Sequence, residues 1–152
     1  MTKKDMQQMI EQLSRDSVFG CYTRQALEIQ YSKIYKKFNS VIFFDVDYLH
    51  QLNDTLGYQE VDRRIKNTLS QIRHSDLNVY RWYSGDEIVI FVSSGDVELF
   101  AKRLQIVLSD NGLSATIGIN KVVSSNLLET VKIASDKVQQ SKRDGNRGII
   151  IG

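Results

Sequence analysis

Proline is absent from the 152 residues, and no repeat or low-complexity tract is present, so nothing in the chain reads as a linker between domains. The single cysteine, Cys21, rules out an internal disulfide and reads as a small buried residue. Met1 to Asp16 contains no apolar h-region, and no apolar run approaches membrane-spanning length. A reducing cytoplasm is therefore the expected compartment, with no membrane partner. An excess of charge is lacking too: 20 Lys and Arg against 18 Asp and Glu leave a net +2, too little to argue for a nucleic-acid surface. Any phosphate site must be local. The remaining composition, 41% hydrophobic and 25% charged residues, is enough for one ordinary globular domain with a proper core.

Residues 2 to 15 are polar, with Met6, Met9, Ile10 and Leu13 at helical spacing, and read as an amphipathic lead-in helix able to pair with a partner. Thr23 offers an N-cap to a helix whose apolar face carries Ala26, Leu27, Tyr31, Ile34, Tyr35 and Phe38. Ser40 to Asp47 (SVIFFDVD) is a continuous apolar run ending in acids, hence a buried strand delivering carboxylates at its carboxyl end, where ligands sit in α/β sheets. Tyr48 to His74 reads as two helices broken at Gly57. Asn78 to Tyr83 and Ile88 to Val92 are β-rich runs separated by four polar residues, which predicts an antiparallel hairpin with an acidic tip. A helix around Val97 to Leu108, a strand at Leu113 to Asn120, a helix at Leu127 to Lys142 and a closing strand at Gly148 to Ile151 complete the order. Strand one and the hairpin, with helices on one face, predict an α/β (α+β) fold of the ferredoxin-like palm kind, built on a mostly antiparallel sheet. That architecture does not fix function.

Asp45 and Asp47 end the buried strand, while Asp86 and Glu87 sit at the turn of a hairpin able to lie beside it. Carboxylates from adjacent strands make a hard oxygen cage suited to magnesium, which binds through one or two protein carboxylates and takes its other ligands from water and phosphates. The alternative is that hairpin turns attract Asp for its tolerance of unusual backbone angles, and that strand ends expose acids to solvent. The joint occurrence favours function, because four apolar residues, Val41 to Phe44, precede Asp45 and its charge is desolvated there unless paired.

Five stretches, in order, resemble motifs of the GGDEF (diguanylate cyclase) domain family. Asp16 to Leu27 (DSVFGCYTRQAL) is similar to D-x-L-T-G-L-x-N-R-x-x-L. Phe44 to Asp62 (FDVDYLHQLNDTLGYQEVD) is similar to D-x-D-x-F-K-x-I-N-D-x-x-G-H-x-x-G-D. Ser84 to Ile88 (SGDEI) resembles the signature itself. Ser114 to Ile119 (SATIGI) and Ala134 to Arg147 (ASDKVQQSKRDGNR) resemble the family's S-I-G strand and its closing A-D-x-A-L-Y-x-A-K-x-x-G-R-N. The resemblance covers the chain from about residue 14 and implies a nucleotidyl cyclase domain over 15–152 behind a lead-in helix at 1–14.

The resemblance implies an enzyme that condenses two GTP to cyclic di-GMP with Mg2+ (or Mn2+) and release of pyrophosphate, as a homodimer in which each protomer holds one nucleotide. It implies Asp45, Asp86 and the backbone carbonyl of Val46 as metal ligands, with Glu87 supporting the metal site or the attacking 3'-hydroxyl. Asn53 and Asp62 fall on the positions that read the guanine edge, against plainer readings as a helix-terminating polar residue and a solvated helix face. Lys142 matches the basic position that meets the triphosphate, or is simply a helix-end cation favoured by the macrodipole. Arg147 stands one residue beyond the family arginine.

Several positions depart from the pattern. His50 replaces a lysine that helps hold phosphate, Trp82 an arginine two before the signature, and Val61 a glycine near the nucleotide. Ser84 keeps a small residue, and Ile88 is a core substitution of similar character. Arg73 and Asp76 form an R-x-x-D like the family's product-inhibition site, but two residues too far from the signature, and read as coincidence. The lost positive charge leaves a second reading open, a degenerate domain that binds nucleotide or a protein partner without turnover. The short segments after the signature and after Gly118 resemble the compact CRISPR-type polymerases, which leaves a cyclic oligonucleotide synthase of different base choice as a third.

Overall fold

The computed structural model describes residues 1–72, 77–83 and 86–152. Arg73, Asp76, Ser84 and Gly85, and with them the R-x-x-D pattern and the first half of SGDEI, lie outside the described residues.

Helix α1 (Lys3–Leu13) starts with a capping box: Thr2 accepts the Asp5 N–H at 3.1 Å, and Asp5 accepts the Thr2 N–H at 3.1 Å. None of its residues is buried, and Met6, Met9, Ile10 and Leu13 are all exposed. Its carboxyl end is tied to the adjoining loop by Glu11, which takes bonds from Arg15 and from the Tyr22 hydroxyl. Helix α2 (Arg24–Ile34) is capped by Thr23, which accepts the Ala26 N–H as the sequence predicts, and buries Ala26, Leu27 and Tyr31.

Strand β1 (Ser40–Val46) lies at the centre of the sheet, whose order is β2-β3-β1-β4-β5 with β2 (Leu77–Arg81), β3 (Ile88–Val92), β4 (Ala115–Asn120) and β5 (Ile150–Ile151). All pairings are antiparallel except β4 with β5. Helices α3 (Leu49–Leu56) and α4 (Tyr58–Gln71) come after β1, α5 (Val97–Asp110) comes after the hairpin, and α6 (Leu127–Arg143) lies between β4 and β5.

The helices cover both faces of the sheet, which corrects the expectation of one. Ile42, Phe44 and Val46 pack with Val61, Ile65 and Leu69 of α4 and with Ala101 and Leu104 of α5. Val41 and Phe43 pack on the opposite side with Leu27 and Tyr31 of α2 and Val131, Ala134 and Val138 of α6. This two-sided burial is why β1 is apolar at successive positions instead of alternating. Each such side chain stabilises the fold by roughly 1.5–3 kcal/mol. Cys21 is in the first of these cores, at 1% exposure. Gly118 lets α6 approach β4, since a Cβ there would overlap the carbonyl oxygen of Ala134. That close approach sets where the last turn of α6, with Lys142, meets the end of β1.

Candidate functional site

The register of β1 against β3, with Phe44 opposite Ile88, brings the residues just after Phe44 alongside those just before Ile88. Asp86 is therefore carried to the carboxyl end of β1, where its Oδ2 accepts the Val46 N–H at 2.6 Å in a buried hydrogen bond. The Asp86 and Asp45 carboxyls abut. Burial, a hydrogen bond with Asp45 and the negative charge of Asp45 together push the Asp86 carboxyl up to about 8. Glu87 is also raised, first by burial and then by Asp45, against the opposing pull of Lys142 and Arg24.

Lys142, near the end of α6, places its Nζ 3.1 Å from Asp45 Oδ2 and 3.9 Å from Asp47 Oδ1. The charge of Asp45 is thus paired, as its apolar surroundings require. Asp47 has a different fate from Asp45. It is buried, its Oδ1 accepts from the Thr116 hydroxyl at 2.7 Å, and its Oδ2 accepts from the Ser114 hydroxyl at 2.7 Å. Its backbone N–H donates to the Ser114 carbonyl at 2.7 Å. The two acids that end the strand therefore divide: Asp45 faces the site with Asp86 and Lys142, while Asp47 straps the β1 terminus to β4. Asp47 is not part of an open cage.

The remaining candidates sit around this centre. Asn53, on α3, has a buried Oδ1 with no hydrogen-bond partner among the described residues. Asp62, on α4, is half-buried, and burial raises its pKa while Arg81 lowers it and Asp16 raises it further. His50 is turned to solvent, with its Nε2 3.3 Å from Asp54 Oδ2 one helical turn on. Arg147 is exposed, its guanidinium 5.3 Å above the Tyr48 ring. Val61 is fully buried in the core.

Two cations near the site have no counterpart among the residues chosen from sequence. Arg24, the first residue of α2, stacks at 4.0 Å on the Trp82 ring and 4.3 Å on the Tyr83 ring, and it acts electrostatically on Glu87. Arg81 pairs with Asp16 at 3.0 Å beside Asp62. Both line, with Trp82 and Tyr83, a depression of about 460 Å³. Trp82 itself is buried, so the residue in the arginine's place serves as a support for Arg24. Arg24 lies within the stretch Asp16 to Leu27 that carries part of the resemblance, whereas the tryptophan at position 82 reads in the sequence only as lost positive charge.

A palm-type sheet with helices on both faces and an acidic pair at the ends of neighbouring central strands defines the class. The chain matches the family described as diguanylate cyclase, GGDEF domain, over residues 20–148, and it belongs to that family. A probable diguanylate cyclase, DgcJ of Escherichia coli strain K12, is 31% identical over 140 residues, covering 80% of this chain; the chain spans 28% of that relative's length. The coiled coil and GGDEF domain of DgcB from Caulobacter crescentus, solved in complex with c-di-GMP, superposes with a TM-score of 0.76 at 15% identity, covering 98% of this chain and 90% of that one. The S helix-GGDEF-EAL structure of Vibrio cholerae LapD, bound to c-di-GMP, gives a TM-score of 0.75 at 18% identity over 93% of this chain and 37% of that one. Among the described residues, no helix is long and apolar enough to cross a membrane.

Proposed function

We propose that this domain is a diguanylate cyclase-like nucleotidyltransferase that condenses two GTP molecules to cyclic di-GMP, using Mg2+ (or Mn2+) and releasing pyrophosphate. The observation that carries the reading is the abutting pair Asp45 and Asp86, with Lys142 at 3.1 Å from Asp45. A carboxyl held at about 8 by burial and by a neighbouring carboxylate is one that a divalent cation relieves. Among the described residues no group of three or more His, Cys, Asp or Glu gathers as a metal cage. Two carboxylates fit magnesium, which needs only one or two from the protein.

In this reading Asp45, Asp86 and the Val46 carbonyl hold the ion, which neutralises triphosphate charge when bound. Lys142 turns from Asp45 toward the phosphates, and Glu87 positions the 3'-hydroxyl that attacks the α-phosphorus of the second nucleotide. Asn53 and Asp62 read guanine: a buried Oδ1 lacking a partner among the described residues and a partly desolvated carboxylate are both suited to the donors of the guanine edge. Positioning and electrostatics supply most of the catalysis in such transfers. Each protomer holds one nucleotide, so the active form is a homodimer. The exposed apolar stripe of α1 is the surface for a second copy, and the likeness to a structure containing a coiled coil and GGDEF domain extends over 98% of this chain.

A second reading, nucleotide binding without turnover, is favoured by the turned-out His50 and the buried Trp82, which remove two cations of the family pattern from the phosphates. The test of the metal assignment is calorimetric titration with GTP in Mg2+. Asp86→Ala is expected to abolish magnesium-dependent binding while the far-ultraviolet circular dichroism stays unchanged; unaltered binding would overturn the assignment.

A further inference from the structure

Tyr48 is the one residue other than glycine with a positive φ among the described residues, at φ 57 and ψ 37. Six other positive-φ positions are glycine, so the chain elsewhere uses the residue that carries no steric penalty there. A bulky aromatic in the left-handed region is a true outlier, and such strain collects at functional sites. Core packing does not explain it, because Tyr48 is 58% exposed. Its ring instead lies under the guanidinium of Arg147, 5.3 Å from the centroid, within cation–π range.

Arg147 is anchored on both sides. The Asn146 carbonyl accepts from the Ser141 hydroxyl at 2.8 Å, and the Gly148 N–H donates to Thr116 Oγ1 at 3.2 Å. Thr116 in turn donates to Asp47, the residue before Tyr48. The two partners of the stack therefore flank one buried network at the carboxyl end of β1, next to Asp45 and Lys142. An arginine laid on an aromatic face keeps its in-plane N–H donors available for phosphate oxygens.

We infer that Tyr48 is a positioning residue: its left-handed backbone sets the ring as a seat that holds Arg147 toward the triphosphate, offsetting the one-residue displacement of that arginine along the chain. The inference rests on the proposed triphosphate site. It explains why a tyrosine occupies a place where glycine or asparagine has less strain.

The test is calorimetry of the magnesium complexes of GTP and of inorganic tripolyphosphate with the wild type, Tyr48→Phe, Tyr48→Asn, Arg147→Ala and the Tyr48→Asn/Arg147→Ala double variant, each also melted thermally. Asparagine tolerates the left-handed backbone, so Tyr48→Asn is expected to melt no lower than the wild type. Tyr48→Phe keeps the ring and binds as the wild type does. Tyr48→Asn weakens both ligands about threefold and Arg147→Ala about tenfold, and the double variant is no weaker than Arg147→Ala alone. Wild-type affinity in Tyr48→Asn, or losses that multiply in the double variant, would overturn the inference while leaving the triphosphate site standing. Failure of the wild type to bind either ligand would overturn the site and the inference together.

Discussion

Asp86 Oδ2 accepts the backbone N–H of Val46 at 2.6 Å, so the signature at the hairpin and the end of β1 are one unit. The same carboxyl abuts Asp45, and burial with that neighbouring charge pushes it up to about 8. A carboxyl whose folded-state pKa exceeds its unfolded value, here 3.8, binds its proton more tightly in the folded chain. The stability it contributes is complete below that unfolded value and is lost as pH rises toward 8. Without divalent cations, the melting temperature is expected to fall between pH 5 and pH 8, and Asp86→Asn is expected to flatten that slope. Added Mg2+ should raise the melting temperature more at pH 8 than at pH 5. Equal slopes in wild type and variant would mean that Asp86 is not the group that titrates.

Asp45 and Asp47 have separable roles. Asp47→Ala strands the Ser114 and Thr116 hydroxyls and frees the β1 terminus, and is expected to cost about 2–4 kcal/mol in urea unfolding. Asp45→Asn leaves a hydrogen-bonding side chain beside Lys142 and is expected to cost about 1 kcal/mol or less while losing magnesium-dependent GTP binding. The reverse pattern would exchange the two assignments.

Base choice rests on Asp62. Competition binding of GTP against ATP should show a guanine preference in the wild type that Asp62→Ala erases. A preference that survives the substitution places base reading on other residues.

Helix α1 contributes no buried residue, so removing 1–14 should leave the domain folded. Sedimentation velocity should then show a dimer for the whole chain and a monomer for the shortened one. A dimer that persists in the shortened chain removes α1 from the interface.

The element order was legible because each segment carries its own period: the helix capped at Thr23 and the apolar run of β1 report local geometry directly. That the sheet is covered on both faces was written in the same run, Val41 to Phe44, whose neighbours alternate between the two cores. The division between Asp45 and Asp47 was not legible, since two acids two residues apart look alike until β4 brings Ser114 and Thr116 to one of them. The seat of Arg24 on Trp82 and the stacking of Arg147 on Tyr48 depend on packing between distant segments. Local pattern carries neither of these.

The most direct measurement is mass spectrometry of the products after the purified protein is incubated with all four ribonucleoside triphosphates and magnesium, beside an Asp86→Ala control. The account predicts cyclic di-GMP and pyrophosphate from the wild type and neither from the control. GTP bound but left intact by the wild type would contradict it.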